Sequence, residues 1–150
     1  MKKVIFSLTA WRGFVVWIFI ICAEFLHGTA RIIFLQPLVG DFRTRQIAVF
    51  TGILLILAIS YLFGGWLRAA NNLQLFLIGL MWLALTALFE ISLGRALNLS
   101  WERIFSDYDI LNGGLMSFGL LFLMLSPLIA ARLKEKILAR KSETCLQTIK

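Results

Sequence analysis

The sequence has little charge, little proline and hardly any cysteine or histidine. Charged residues make up 15% of its 150 residues, against about 25% in ordinary soluble domains. It contains two prolines, two cysteines and one histidine. The shortage of charge argues against a soluble protein, and the two distant cysteines do not form a disulfide framework. A single histidine excludes a bis-histidine haem site and an H-E-x-x-H zinc motif.

Motifs for catalysis and cofactor binding are also missing. The chain has no Cys-x-x-Cys pair, no glycine-rich phosphate loop and no serine or cysteine triad. Glu24 and His27 form one Glu-x-x-His unit, whereas di-iron bundle proteins use this unit twice. We therefore predict no metal ion and no other cofactor, and we do not expect an enzyme.

Hydrophobic residues, in contrast, account for 60% of the chain and are gathered into four long runs. Each run is close to the roughly 20 residues that a helix needs to cross a bilayer core. The segments between the runs are too short to bury a water-soluble core of their own. The sequence therefore predicts an all-α, polytopic integral membrane protein with a single four-helix domain. The predicted spans cover residues 14–35, 47–67, 73–93 and 114–131, followed by a basic tail over 132–150.

The formal net charge of +7 comes mainly from lysines and arginines before the first span and after the last. Such residues are retained on the cytoplasmic side of a membrane, so we expect both termini in the cytoplasm. We interpret this bias as a topology signal and predict no nucleic-acid partner. The composition suits a bacterial inner membrane. Beyond the lipid bilayer, a larger membrane protein or further copies of the chain are the candidate partners.

The links between spans carry local signals. Pro37 and the turn residue Gly40 predict that span one ends near residue 36 and is followed by an outer loop over 37–45. The short link after span two predicts that spans two and three are antiparallel neighbours. Span two also has a stripe of small residues at multiples of four, which favours a close approach between helices. The stripe consists of Ala48, Gly52, Ser60 and Gly64.

A short amphipathic helix is predicted between spans three and four. Apolar side chains recur at helical spacing over residues 97–108, while the polar side chains fall elsewhere. We expect this helix to lie on the outer membrane surface. Its marker residues are Trp101, Glu102, Arg103 and Asp107.

Ionisable residues inside the apolar runs are the candidate functional residues. Glu24, His27 and Arg31 stand at i, i+3 and i+7, so they share one face of span one, and Glu90 lies in span three. Each such residue costs about 2.5–3.5 kcal/mol at mid-membrane unless it finds a partner, water or a neutral state. We estimate depth in the membrane by counting inward from the predicted outer ends of the spans, at about 1.5 Å per residue. This places Arg31 and Glu90 at the same depth and Glu24 about two turns deeper. We expect a bridge between Arg31 and Glu90, and we expect Glu24 to be a candidate for proton exchange.

Two functions of different class fit this cluster. In the first, the protein is an accessory or structural subunit whose intramembrane polar cluster orders the helices, and this is the leading interpretation because nothing in the sequence demands a pathway. The alternative is a small proton-coupled transporter or channel that uses the mid-membrane Glu24. A membrane enzyme or quinone-binding protein that uses His27 is a third interpretation.

The chain has four predicted helices with a glutamate in the first, and in this outline it is similar to the small multidrug-resistance transporters. In those proteins the glutamate exchanges protons for a cationic substrate, so the resemblance implies that role for Glu24. The similarity covers architecture only. This chain is longer, has the predicted surface helix and carries a second carboxylate at Glu90.

Overall fold

The structure is a computed structural model that describes residues 2–106, 108–109 and 114–148, with side chains described from residue 8 to residue 142. Four helical stretches in it are long and apolar enough to cross a membrane, which confirms the predicted all-α, four-span membrane protein. These stretches are Leu8–Val39, Asp41–Leu67, Asn72–Ala96 and Met116–Ser142. The elements are α1 (Lys2–Ala30), a π-helical segment (Arg31–Leu35), α2 (Gln36–Val39), α3 (Asp41–Leu67), α4 (Asn72–Ala96), α5 (Trp101–Ser106) and α6 (Met116–Thr148).

The predicted loop over residues 37–45 is wrong, because this segment is helical on both sides of Gly40. Pro37 lies in the first turn of α2, directly after the π-helical segment, and has no N–H to donate to a carbonyl of that segment. Gly40 alone separates α2 from α3, with φ 80° and ψ 163°, a conformation that only glycine adopts easily. A single residue therefore makes the turn between the first two spans.

The last helix runs well past the predicted end of span four. The tail beyond residue 131 continues as helix to Thr148, since it is rich in Leu, Lys, Arg and Glu, which are good helix formers. Pro127 lies inside this helix and cannot donate to the carbonyl of Leu123. The hydroxyl of Ser126 donates to that carbonyl instead, at 2.8 Å, so the helix continues without an unsatisfied oxygen.

The order of helices in the bundle differs from the prediction for spans two and three. Both α1 and α6 pack against α3 and α4, which places α3 and α4 at opposite corners of a four-helix bundle. The short link between α3 and α4 (residues 68–71) still joins them. Extended chain reaches about 3.3–3.6 Å per residue, enough for the diagonal of helices packed about 8–10 Å apart. A short link therefore does not require adjacent helices.

The buried core lies where all four long helices meet. The side chain of Trp82 in α4 is fully buried, and its indole N–H donates to the carbonyl of Gly13 in α1 at 2.8 Å. Gly79, one turn earlier, lies so close to α6 that a Cβ atom there would collide with the carbonyl oxygen of Met124. Ser60 of α3 donates to Ser126 of α6 at 3.0 Å, and both are buried. We call this region the packed core; its apolar members are Val16, Ile20, Ile56, Leu67, Ile78, Trp82 and Leu123.

Candidate functional site

A cavity of about 400 Å³ lies between the four long helices, next to the packed core. Its floor contains core residues Ile20, Ile56 and Leu123, and most of its lining is apolar. We call it the polar cavity, because the ionisable residues singled out in the sequence all contribute to its wall. These are Glu24, His27, Arg31 and Glu90.

Glu24 and His27 contact each other at the wall. Nδ1 of His27 lies 3.5 Å from Oε2 of Glu24, and the two side chains are 24% and 28% exposed. The carboxylate lies against Gly52 of α3, where a Cβ atom would come within 3.0 Å of Oε2. The other carboxylate oxygen, Oε1, is buried and has no hydrogen-bond partner among the described residues. Glycine at position 52 therefore provides the space that the carboxylate occupies.

The ring of His27 lies between a carboxylate and a hydroxyl. Nε2 is 2.8 Å from the hydroxyl of Thr51 in α3. That hydroxyl also lies 3.1 Å from the carbonyl of Ile47 and 3.2 Å from that of Ala48, so it can donate to a carbonyl and accept from Nε2–H, or donate to Nε2. Which ring nitrogen carries the proton depends on the tautomer. The contact between Glu24 and His27 therefore joins two groups that can each carry a proton.

Glu90 lies on the α4 side of the cavity. The hydroxyl of Tyr108 donates to Oε2 of Glu90 at 2.8 Å, and the hydroxyl of Ser117 donates to the carbonyl of Tyr108 at 3.2 Å. These bonds connect the cavity wall to the chain that follows α5 and to the start of α6. Tyr108 was not predicted as a partner of Glu90.

The register between α1 and α4 corrects the expected depths. Trp17 donates to Thr86 at 2.9 Å, and this pair, like Gly13 with Trp82, is 69 residues apart. The same offset places Glu90 level with Ile21. Arg31 lies ten residues beyond Ile21 along the helix, which is about 15 Å at 1.5 Å per residue. Arg31 and Glu90 are therefore not at the same depth, and this prediction is wrong. The ion pairs of the described residues do not include one between them.

Arg31 is the first residue of the π-helical segment, in which the amide of Gln36 donates to the carbonyl of Arg31. Its Nε is buried and has no hydrogen-bond partner among the described residues. Buried polar groups nearly always have partners, and those without one call for a specific explanation.

The predicted surface helix corresponds to α5, which is shorter than predicted. Ile104 is buried and anchors α5 on α4, since a Cβ atom at Gly94 would lie 2.9 Å from its Cγ1. Trp101 is half exposed, and the Arg95 guanidinium lies 4.9 Å from the centre of its ring. Glu102 and Arg103 are exposed, whereas Asp107 lies outside the described residues.

Thr51 and Tyr108 are the site residues that sequence reasoning did not identify. Gly52 belongs to the small-residue stripe of span two, which indicated a close approach but not the partner that approaches. Among the described residues, no group of three or more His, Cys, Asp or Glu side chains is placed to hold a metal ion. The chemistry that the arrangement can perform is proton exchange and the binding of a ligand in the cavity.

The chain has no match among family models, curated proteins or solved structures. The geometry of the polar cavity is therefore the basis for a functional proposal.

Proposed function

We propose that the protein is a small proton-coupled membrane transporter that binds its substrate in the polar cavity. The observation that carries this proposal is the contact between Glu24 and His27, two groups that can each carry a proton, at the wall of a cavity of about 400 Å³. Binding sites for small molecules have volumes of about 300–1,000 Å³ and are mostly apolar, with a few polar groups. A purely structural cluster is expected to satisfy its buried atoms, yet Oε1 of Glu24 and Nε of Arg31 have no described partner.

The groups around Glu24 come from every long helix that lines the cavity. His27 and Arg31 share the face of the first span with it, and Thr51 and Gly52 face it from α3. From α4 the cavity wall includes Glu90, and the described residues that α6 contributes to it are Met116, Gly119, Leu120 and Leu123. Of these neighbours, His27 is the ionisable group in contact with the carboxylate of Glu24, at 3.5 Å.

Glu24→Gln tests this function. Because Glu24 can load and release a proton without the substrate, we expect the carrier to leak protons. In liposomes with a pH-sensitive dye inside, an imposed membrane potential should drive protons through the wild-type protein and not through the variant. The amide keeps the size of the side chain but carries no exchangeable acid proton, so helicity by circular dichroism should stay unchanged. Glu102→Gln, which changes an exposed carboxylate on α5, is the matched control. Wild-type liposomes no more permeable to protons than empty ones, or undiminished flux in Glu24→Gln, would refute the proposal.

The second candidate function is an accessory subunit of a membrane complex. The bond between His27 and Thr51 joins α1 to α3, as expected of a cluster that orders helices. The first span also presents a large apolar surface, with Leu26 69% and Phe34 71% exposed. Native mass spectrometry after gentle extraction separates the candidates. A stoichiometric complex with a different membrane protein favours the accessory role, and a homo-oligomer or a monomer favours the transporter.

We also propose that the protein lies in a bacterial inner membrane with both termini in the cytoplasm. The excess of lysine and arginine at the two ends of the chain supports this orientation. A C-terminal reporter that is active only in the cytoplasm should be active, and a reporter that proves external would overturn the topology.

A further inference from the structure

Among the ionisable groups of the polar cavity, Arg31 stands apart. Glu24 contacts His27, and Glu90 accepts from Tyr108. The ion pairs and hydrogen bonds of the described residues give Arg31 no side-chain partner at contact distance, while its charge acts on Glu24 from farther away, and its Nε is buried. A guanidinium has five N–H donors and no acceptor, so the group that would complete this site is an anion.

The backbone at Arg31 is unusual as well. The segment Arg31–Leu35 is π-helical, so the helix turn that begins at Arg31 contains one more residue than an α-helical turn. Short π-helical segments occur frequently at functional sites. The segment holds no buried residue, so its widened turn lies outside the packed core, and Pro37, which has no N–H to donate back to the helix, follows it by two residues.

The cavity is elongated along the first span. Its lining residues on this span extend from Ile20 to Ile32, which at 1.5 Å per residue is about 18 Å. Arg31 lies near one end of this range, and the opposite end is the floor of packed-core residues, with Glu90 on the facing wall level with Ile21. The cavity therefore offers a cation at one end and a mostly apolar lining beyond it, with the two carboxylates on its walls.

We propose that the polar cavity binds an amphiphile whose acidic head, a carboxylate or a phosphate, contacts Arg31 and whose apolar chain extends towards the floor. This inference rests on the proposed function in that it names the class of substrate. A lipophilic cation fits less well, because each carboxylate already has a neighbouring donor at one of its oxygens, whereas no acceptor lies within hydrogen-bond or ion-pair distance of the arginine among the described residues. The acidic head could come from a free fatty acid or from a lipid with a phosphate head, and the test distinguishes these sources.

Binding is tested on the purified full-length protein in a non-ionic detergent by native mass spectrometry. The probes are palmitic acid, palmitoyl lysophosphatidic acid and, as the cationic counterpart, hexadecylamine. We expect one acidic probe to bind in a one-to-one complex and hexadecylamine to bind at least tenfold more weakly. Arg31→Gln removes the hydrogen bonds between the guanidinium and the charged head of the probe. Their loss should weaken the binding of the acidic probe about tenfold or more. Arg31→Lys should retain part of it, because the positive charge remains.

Arg43→Gln is the control, since Arg43 is exposed and outside the cavity lining. Tighter binding of palmitic acid than of the lysophospholipid identifies a fatty acid, and the reverse order identifies a lipid. Equal binding to wild type and Arg31→Gln, or tighter binding of hexadecylamine, overturns the inference. If Arg31-dependent binding is found but proton flux is absent, the inference survives and the transporter proposal fails. If flux depends on Glu24 while no acidic probe binds, the transporter proposal survives and the substrate class is wrong.

Discussion

The two ends of the helix bundle are built differently. In the packed core the indole of Trp82 is bonded to Gly13, and the hydroxyls of Ser60 and Ser126 are bonded to each other. In the polar cavity, Oε1 of Glu24 and Nε of Arg31 are buried without a described partner. The core satisfies its polar groups within the chain, while the cavity leaves donors and acceptors that a ligand can satisfy. This contrast suggests that stability depends mainly on the first region and function on the second.

The reason for the difference lies in how helices associate in lipid. Lipid tails are as apolar as the side chains, so helix pairs are stabilised by close packing and interhelical hydrogen bonds and not by the hydrophobic effect. Small residues that permit this approach therefore determine where the helices pack most closely. Gly79 and Ser126 have that role in the core, whereas the space beside Gly52 is occupied by the carboxylate of Glu24.

The largest effect on stability is expected from Gly79→Ala. The added methyl group would collide with the backbone carbonyl of Met124, which cannot rotate away as a side chain would. Overpacking of this kind costs about 1–3 kcal/mol, and we expect the upper end of that range. Thermal unfolding in detergent should show a clear fall in Tm. Gly64→Ala in α3 is the control, since no described atom lies within 4 Å of its Cβ position, and equal Tm values for the two variants would show that the close approach is unimportant.

Intermediate effects are expected from the two buried serines. Ser126→Ala removes the donor to the Leu123 carbonyl and the acceptor of Ser60, whereas Ser60→Ala leaves the first of these bonds in place. Side-chain hydrogen bonds between membrane helices are worth about 0.6 kcal/mol on average and at most about 1.7. We therefore expect Ser126→Ala to lower the free energy of unfolding more than Ser60→Ala, with proton flux unchanged in both. The reverse order in denaturant titrations would contradict the role assigned to Ser126.

Much of this fold could be predicted from the sequence, because apolar runs of sufficient length report directly on membrane spans. The helical periodicity also placed Glu24, His27 and Arg31 on one face, and all three line the cavity. The π-helical segment could not be predicted, since a single widened turn leaves no mark on an apolar run. The sequence also gave no sign that residues 37–39 and 41–45 are helical on both sides of Gly40.

The partners of the cluster were beyond sequence reasoning for a different reason. Which residues meet across helices depends on the order and rotation of the helices, and these depend on packing throughout the bundle. The short link predicts that spans two and three are neighbours, but α1 and α6 are the elements packed against both. The contacts of His27 with Thr51 and of Glu90 with Tyr108 follow from that arrangement and not from any spacing along the chain.

The smallest change in stability, and the sharpest test of the contrast, is expected from Gly52→Ala. A Cβ atom there would lie 3.0 Å from Oε2 and 3.4 Å from Cδ of Glu24, so the carboxylate has to shift by a few tenths of an ångström. It sits at the end of a flexible side chain, and alanine is preferred to glycine in a helix by about 1 kcal/mol, so Tm should stay near that of the wild type.

Proton flux, in contrast, should fall several-fold in Gly52→Ala, because the displaced carboxylate no longer holds its contact with Nδ1 of His27. Gly28→Ala is a matched control in the same cavity lining, where no described atom lies within 4 Å of the added methyl group. Proton flux in liposomes should therefore differ between Gly52→Ala and Gly28→Ala, although their Tm values are similar. If Gly52→Ala instead lowers Tm and leaves flux intact, Glu24 is a packing element, and the cavity belongs with the core as part of the framework that orders the helices.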